Sequence, residues 1–185
     1  MASEKNHRNL LFKNDGEFMR KLFSASSGHL TMVALIAIFA ATPVFSACPS
    51  DTFNRFIPNE AEVTDTGTGL IWGRCAVGQV WNGTTCTGVP NLMTHDEALQ
   101  YAKNLANQWR LPNIKELSSL VDEGCSFPSI NKNIFPQTPP IEFWSSTPGN
   151  FGYSELAWYV NFEYGNASGD ERSIKTAVRL VRSGP

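Results

Sequence analysis

An uncharged apolar stretch precedes every cysteine of this chain of 185 residues. The stretch, residues 30–45, reads LTMVALIAIFAATPVF and follows the basic pair Arg20 and Lys21. A basic region, a short apolar core and a small-residue exit are typical of a secretory signal peptide. The strongly apolar part is shorter than the roughly 20 residues that cross a bilayer as a helix. We therefore predict a signal peptide over residues 1–47 and export to the periplasm, the outer surface or the medium.

Several outcomes are compatible with this segment. Cleavage after Ser46 suits the recognition positions better than cleavage after Ala47, which would place a phenylalanine at one of them. A retained anchor is one alternative, and lipidation of Cys48 is another. Met19 begins MRKLF, a more usual opening, so it is an alternative start. Membrane contact is expected only through this segment or through a lipid on Cys48.

The cysteines predict a disulfide-stabilised domain, because an even number of cysteines in an exported chain is usually fully paired. They are Cys48, Cys75, Cys86 and Cys125, which allow three pairings. We favour Cys75–Cys86, which flank the turn-rich stretch GQVWNGTT, and therefore Cys48–Cys125. The spacing contains no CxxC pair, and His95 is the one histidine after residue 47. We therefore expect no metal site and no cofactor.

Length and charge restrict the class of partner. Residues 48–185 are enough for one domain with one core. Of the 15 basic and 17 acidic residues in the chain, five basic and three acidic ones fall in residues 1–47, which leaves an acidic domain. Because nucleic-acid binding rests on clustered lysine and arginine, we expect no nucleic-acid partner.

Two helices are predicted from capping boxes. Thr94 and Asn113 are the predicted N-caps, and Glu97 and Glu116 stand three residues later, where each carboxylate can accept from the cap's own N–H. Apolar residues recur at helical spacing after each cap. The predicted helices span residues 94–107 and 113–124.

The other predicted elements are strands, so the order of elements is typical of an α+β fold. Residues 53–74 predict a β-hairpin: AEVTD leads in, TGTG turns and LIWGR leads out. The later predicted strands are residues 143–146, 158–162 and 177–182. Residues 75–86, 125–140 and 164–170 are predicted loops.

The stretch WRLPNIKEL joins the two helices. Pro112 favours an extended conformation for Leu111, and Asn113 then caps a helix. Trp109 and Leu111 alternate, so both are predicted to point inward. Arg110 is predicted to point away or to cover an aromatic ring. We interpret the stretch as a scaffold joint.

These strings together resemble a known family. TDTGTGLIW, GQVWNGTTC, MTHDEALQYAKNLA, WRLPNIKELSSLVD, FPQTPPIEFWSSTP, AWYVNF and VRLVRSG occur in the order found in the Lcl C-terminal domain family. The resemblance covers residues 55–184 and implies a C-type-lectin-like fold, with two helices packed on one small, twisted, mostly antiparallel sheet. The family's name-giving protein is a collagen-like adhesin that binds sulfated glycosaminoglycans. This chain has no collagen-like repeat and is acidic after residue 47, so that activity does not transfer by residue.

Aromatic side chains supply the candidate site. Trp144 and Trp158 are predicted to be core by alternation. Tyrosine rings stack on sugars and dominate protein interfaces, and asparagines can hydrogen-bond a ligand. The candidate binding surface consists of Tyr153, Tyr159, Asn161, Tyr164 and Asn166.

The sequence favours a non-catalytic, adhesin-like module that binds a glycan or protein ligand at the cell envelope. It lacks the EPN, QPD and WND motifs of calcium-dependent lectins, and no base–nucleophile spacing is present. A structural envelope protein without a small ligand is the alternative. A more remote alternative is an oxidase of the formylglycine-generating type, which would use Cys75 and Cys86 as a reactive pair.

Overall fold

The computed structural model describes residues 54–149 and 155–185. The elements are β1 (Phe56–Asn59), β2 (Glu62–Asp65), β3 (Leu70–Gly73), β4 (Val80–Trp81), β5 (Cys86–Thr87), α1 (His95–Lys103), α2 (Ile114–Ser118), β6 (Glu142–Pro148), β7 (Leu156–Asn161), β8 (Asn166–Glu171) and β9 (Val181–Ser183). The predicted signal peptide, Cys48 and Tyr153 lie outside the described residues. Within the described ranges, no helix is both long enough and apolar enough to cross a membrane.

The described strands form three antiparallel sheets, so the expectation of one small sheet is wrong. A four-stranded sheet has the order β1-β2-β3-β9, and a three-stranded sheet has the order β6-β7-β8. β4 and β5 form a separate short hairpin. The predicted hairpin around TGTG is confirmed, because Glu62 pairs with Gly73 and Asp65 pairs with Leu70. The fold is therefore mixed, with two helices and antiparallel sheets.

The strands differ from the predicted elements in three places. β8 lies in the predicted loop 164–170, and its sequence NASGDE has weak strand propensity. It is a strand because its six residues pair in register with β7. β1 was not predicted and pairs with β2. β9 begins at Val181, because the segment 177–179 runs as buried connecting chain, with an isolated bridge between Phe143 and Ala177.

Both capping boxes are confirmed, but both helices are shorter than predicted. Thr94 and Asn113 each accept from the N–H of the N3 glutamate, and that glutamate accepts from the cap. α2 ends at Ser118 because the chain tightens there: Leu120 donates to the Leu117 carbonyl oxygen and Val121 to that of Ser118, both at 3.1 Å. These bonds have the 3₁₀ pattern that often closes a helix.

Two apolar cores surround β7. The first core contains Val63, Trp72, Ala76, Leu117, Leu120, Ile130, Phe135, Phe143, Val160, Phe162, Ala177 and Val181. The second core contains Val77, Ala98, Ala102, Leu111, Trp144, Ala157 and Val178. Val160 of β7 lies in the first core and Ala157 in the second, so both faces of the strand are covered. Alternation along β7 therefore does not separate buried from exposed positions. Trp144 is buried as predicted, whereas Trp158 is only half-buried.

A buried arginine joins β3 to the segment before β9. Arg179 is fully buried, and its guanidinium donates to the carbonyl oxygens of Gly73 and Arg74 at 2.7 and 2.6 Å. It also donates to the Thr138 hydroxyl at 2.7 Å and lies 4.8 Å from the Phe135 ring centroid. Burial lowers the pKa of Arg179 to about 9. The end of β3 is thereby held where the chain enters the Cys75–Cys86 loop.

Candidate ligand-binding site

A groove of about 300 Å³ lies where the β4–β5 hairpin, α1 and the start of WRLPN meet. Trp81 of β4, Tyr101 of α1 and Trp109 line it. We call this surface the tryptophan groove. Val80 and Tyr101 in its wall are 66% and 38% exposed, so the groove presents apolar surface to solvent. Concave aromatic surfaces of this kind are common ligand sites.

A disulfide fixes the hairpin that carries Trp81. Cys75 and Cys86 are bonded, as predicted, with their Cα atoms 5.5 Å apart. Cys86 is the strand partner of Trp81, so the bond anchors the hairpin beside the indole. The hairpin tip is held by the Asn82 side chain, which accepts from the N–H groups of Thr84 and Thr85. The predicted Cys48–Cys125 pair falls partly outside the described residues and stays a prediction.

Trp109 is placed by its neighbour in the joint. Arg110 exchanges two backbone hydrogen bonds with Val181 of β9, at 2.9 and 3.0 Å. The Arg110 guanidinium points away, as predicted, and donates to both carboxylate oxygens of Glu116 at 2.7 and 2.8 Å. Leu111 is buried, but Trp109 is half-buried and lines the groove. The prediction that both point inward is therefore right for Leu111 and wrong for Trp109.

Each indole in the groove has an arginine beside it. The guanidinium carbon of Arg74 lies 3.8 Å from the Trp81 ring centroid, and that of Arg182 lies 5.3 Å from the Trp109 centroid. Arg74 also donates to the Ile134 carbonyl oxygen, and Arg182 donates to Glu62 at 2.7 Å. Cation–π contacts of this kind orient an aromatic ring while a hydrogen bond holds the cation. The indoles are therefore held in place before a ligand arrives.

The groove contains polar groups that are already engaged. Trp81 donates its Nε1–H to Glu60 at 3.3 Å. The Gln79 side chain accepts from the Ala76 N–H and donates to the Gln137 carbonyl oxygen. Within residues 54–149 and 155–185, no group of three or more His, Cys, Asp or Glu side chains could hold a metal ion. The chemistry of the groove is that of stacking and apolar contact.

His95 lies in the core and not at the groove surface. It is 2% exposed, its Nε2 lies 3.0 Å from the Ser145 carbonyl oxygen, and its ring meets Trp144 edge to face. Burial lowers the pKa of His95, and the positive charge of Arg172 lowers it further. The histidine is therefore neutral at neutral pH and acts in packing.

The structure does not gather the predicted tyrosines and asparagines into one surface. Tyr159 packs against the second core and meets Trp144 edge to face. Asn161 is buried and donates to Glu142 at 2.9 Å, so neither residue is free to form an exposed surface. Asn166 is exposed at the start of β8, and Tyr164 is 67% exposed in the turn before it. Tyr164 lines a separate cleft with Phe127.

With this geometry, the family can be assigned. A model of the Lcl C-terminal domain matches residues 61–182, about two thirds of the chain. The chain belongs to the Lcl C-terminal domain family. No curated protein matches the chain. Trp81, Tyr101 and Trp109 all fall within the part that matches the Lcl C-terminal domain.

Two local signals could have identified the groove. Trp81 stands among polar turn residues inside a disulfide loop, where no apolar pattern would bury it. Tyr101 stands three residues after Ala98, at the edge of the stripe that Ala98 and Ala102 form on α1, and it is 38% exposed. Only the tertiary structure brings these two residues beside Trp109, because they lie on separate elements.

Proposed function

We propose that this Lcl C-terminal domain is an exported, non-catalytic binding module whose tryptophan groove takes an uncharged glycan. The observation that carries this proposal is the open surface formed by Trp81, Tyr101 and Trp109. Aromatic rings supply large, rigid contact area at low cost in conformational entropy, and their faces suit the apolar C–H face of a sugar ring. The domain would act as an adhesin-like module in the cell envelope or outside the cell.

The charges around the groove favour an uncharged glycan over a sulfated one. Sulfate is recognised best by guanidinium groups that present free N–H donors. Arg182 is paired with Glu62, and Arg74 donates to the carbonyl oxygens of Ile134 and Glu60. These arginines orient the indoles of the groove and are not placed to bind sulfate.

The topology supports a C-type-lectin-like fold as part of this proposal. β1 and β9, the first and last described strands, are the two edge strands of one sheet. Both described helices are linked directly by WRLPN, and α2 contacts β6, β7 and β8. This arrangement agrees with two helices packed on small antiparallel sheets.

The disulfide supports a structural role for the cysteine pair. An oxidase of the formylglycine-generating type would need Cys75 and Cys86 as accessible thiols, but the two are bonded and Cys86 is 3% exposed. The bonded pair therefore argues against this oxidase chemistry. A structural envelope protein without a ligand remains the outcome to test against.

A glycan array probed with the oxidised protein tests the proposal. We expect saturable binding to one or more uncharged glycans, followed by titration calorimetry with the strongest of them. Trp81→Ala and Trp109→Ala should each weaken that affinity by about tenfold or more, because central aromatic residues carry most of the energy at such sites. Ile174→Ala is the matched control, since Ile174 is 45% exposed outside the groove.

The same experiment separates the alternatives. No saturable binding to any glycan would contradict the proposal and favour the structural role. Binding that survives both tryptophan substitutions would place the glycan elsewhere. A preference for sulfated glycans that disappears in high salt would contradict the argument from the engaged arginines.

A further inference from the structure

A second concave surface lies on the loops around α2 and β7–β8. It has a volume of about 400 Å³ and shares no lining residue with the tryptophan groove. The segments 121–129 and 163–165 form its two walls. Phe127 and Tyr164 carry its aromatic surface, so we call it the Phe127–Tyr164 cleft.

Two large aromatic side chains of the cleft are exposed to solvent. Phe127 is 62% exposed and Tyr164 is 67% exposed. Their ring centroids are 6.0 Å apart and the rings meet edge to face. A phenylalanine is usually buried, and aromatic pairs on a surface mark sites where a partner covers them. The pair therefore lines the cleft with exposed aromatic surface.

The two walls of the cleft are fastened to each other. Ser129 donates its N–H to the Phe162 carbonyl oxygen at 2.6 Å. The side chain of Asn161 accepts from the Glu163 N–H at 2.7 Å, which fixes the turn that carries Tyr164. Gly165 has φ +75, and a Cβ there would lie 2.9 Å from the Val121 Cγ1. The walls therefore approach as closely as a glycine allows, and the cleft is formed without a ligand.

The charge of the cleft is negative. Glu123 and Glu163 line it together with Ser126 and Ser129, and no lysine or arginine is among its lining residues. Glu163 lies beside Tyr164, and its carboxylate raises the pKa of the Tyr164 hydroxyl. Ring faces attract cations through their quadrupole, and neighbouring carboxylates add to that attraction.

We propose that the Phe127–Tyr164 cleft binds a cationic side chain, lysine or arginine, presented by a partner protein. The cation would lie over the exposed rings with Glu123 and Glu163 beside it, and its aliphatic stem would cover the apolar wall at Val121. The domain would then hold a glycan in one place and a basic protein segment in another. This site does not depend on glycan binding at the tryptophan groove.

A titration followed by ¹H–¹⁵N correlation spectra tests this inference. The probes are N-acetyl-lysine amide and N-acetyl-arginine amide, with N-acetyl-norleucine amide and N-acetyl-citrulline amide as uncharged counterparts. We expect saturable shifts of the Phe127, Tyr164 and Gly165 amide signals with the two cationic probes. The uncharged probes should not saturate at the same concentrations.

Variants localise the effect. Tyr164→Ala and Glu163→Gln should each weaken the affinity for the cationic probes by about threefold to fivefold, which is the size of a cation–π or ion-pair contribution at an exposed site. Ile174→Ala should retain the full affinity, and each variant's dispersed spectrum checks that it is folded. Equal binding of lysine and norleucine probes, shifts confined to groove residues, or no saturable shift would each overturn the proposal.

Discussion

The tryptophan groove and the Phe127–Tyr164 cleft are both aromatic, but their surroundings differ. In the groove, arginines lie against the indoles and are held by hydrogen bonds of their own. In the cleft, the rings pack against each other, and glutamates stand beside them. Aromatic side chains therefore favour different ligands at the two surfaces, because the neighbouring charged groups determine which ligand charge is attracted.

The two surfaces also adjoin the cores differently. Val77 and Ala102, which adjoin the groove, belong to the second core, although Ala76 in the groove wall belongs to the first. Val121 packs against the first core, as does Phe162 at the start of the turn that carries Tyr164. A perturbation confined to the second core should therefore disturb the groove more than the cleft.

Removal of the Cys75–Cys86 disulfide should give the largest difference in ligand binding between the groove and the cleft. In the double variant Cys75→Ser, Cys86→Ser, we expect a loss of about 2–4 kcal/mol in the free energy of unfolding, because the closed loop no longer restricts the unfolded chain. Urea unfolding measures this loss. Glycan affinity should fall sharply, whereas N-acetyl-lysine amide should still bind. An unchanged urea midpoint, or loss of cleft binding in a folded variant, would contradict the separation.

A glycine substitution should damage the cleft by a smaller amount. Gly165→Ala places a Cβ 2.9 Å from Val121 at φ +75, so we expect a loss of about 1–3 kcal/mol and weaker binding of the cationic probes. Gly83→Ala is the matched control: φ is +94 there, but a Cβ would meet nothing within 4 Å. Thermal unfolding of both variants should rank Gly165→Ala as the more destabilised. Equal losses would mean that the close approach to Val121 costs nothing.

Acid should destabilise the fold through His95, which packs against Trp144 of the second core. Burial lowers the pKa of His95 below its ordinary value of 6.5, so the unfolded chain takes up a proton that the folded chain does not. The free energy of unfolding is therefore highest above pH 6.5 and falls as the pH drops below it. Urea unfolding from pH 7 to about pH 5, above the ordinary carboxyl range, measures this slope. His95→Gln should flatten it, and a slope unchanged in that variant would assign the effect to another group.

Substitution of Arg74, which stacks on Trp81, should give the smallest change in stability and glycan affinity. Arg74→Lys keeps the charge but removes the planar group 3.8 Å from the Trp81 centroid, so we expect a loss of about 1 kcal/mol or less in stability. Glycan affinity should fall modestly, because the indole is less firmly oriented, and binding to the cleft should not change. Titration calorimetry with the selected glycan measures the first, and the N-acetyl-lysine amide titration measures the second. An increase in glycan affinity would show that the stack obstructs the groove.

Local signals predicted the parts of this fold that depend on neighbours in sequence. Thr94 and Asn113 cap their helices as predicted, because a capping box is complete within four residues. The hairpin around TGTG and the Cys75–Cys86 bond followed in the same way from short-range chemistry.

The parts that depend on strand pairing or tertiary packing could not be predicted in this way. β8 follows β7 directly in the chain, but it is a strand because of that pairing and against its own weak propensity. Tyr159 is covered because β7 has a core on each face. Trp109 was expected inside with Leu111, but its position is decided by β9 and by the groove wall. The predicted site residues include Tyr164, which lines the cleft, whereas the groove could not be found from the sequence because its rings come from three separate elements.

The most direct test of two separate ligand sites is a titration of one ¹⁵N-labelled sample, first with the selected glycan and then with N-acetyl-lysine amide. We expect the glycan to shift the indole N–H signals of Trp81 and Trp109, and the lysine probe then to shift the amides of Tyr164 and Gly165 without displacing the glycan. A glycan that leaves both indole signals unchanged, or two ligands that compete for one set of signals, would contradict this expectation.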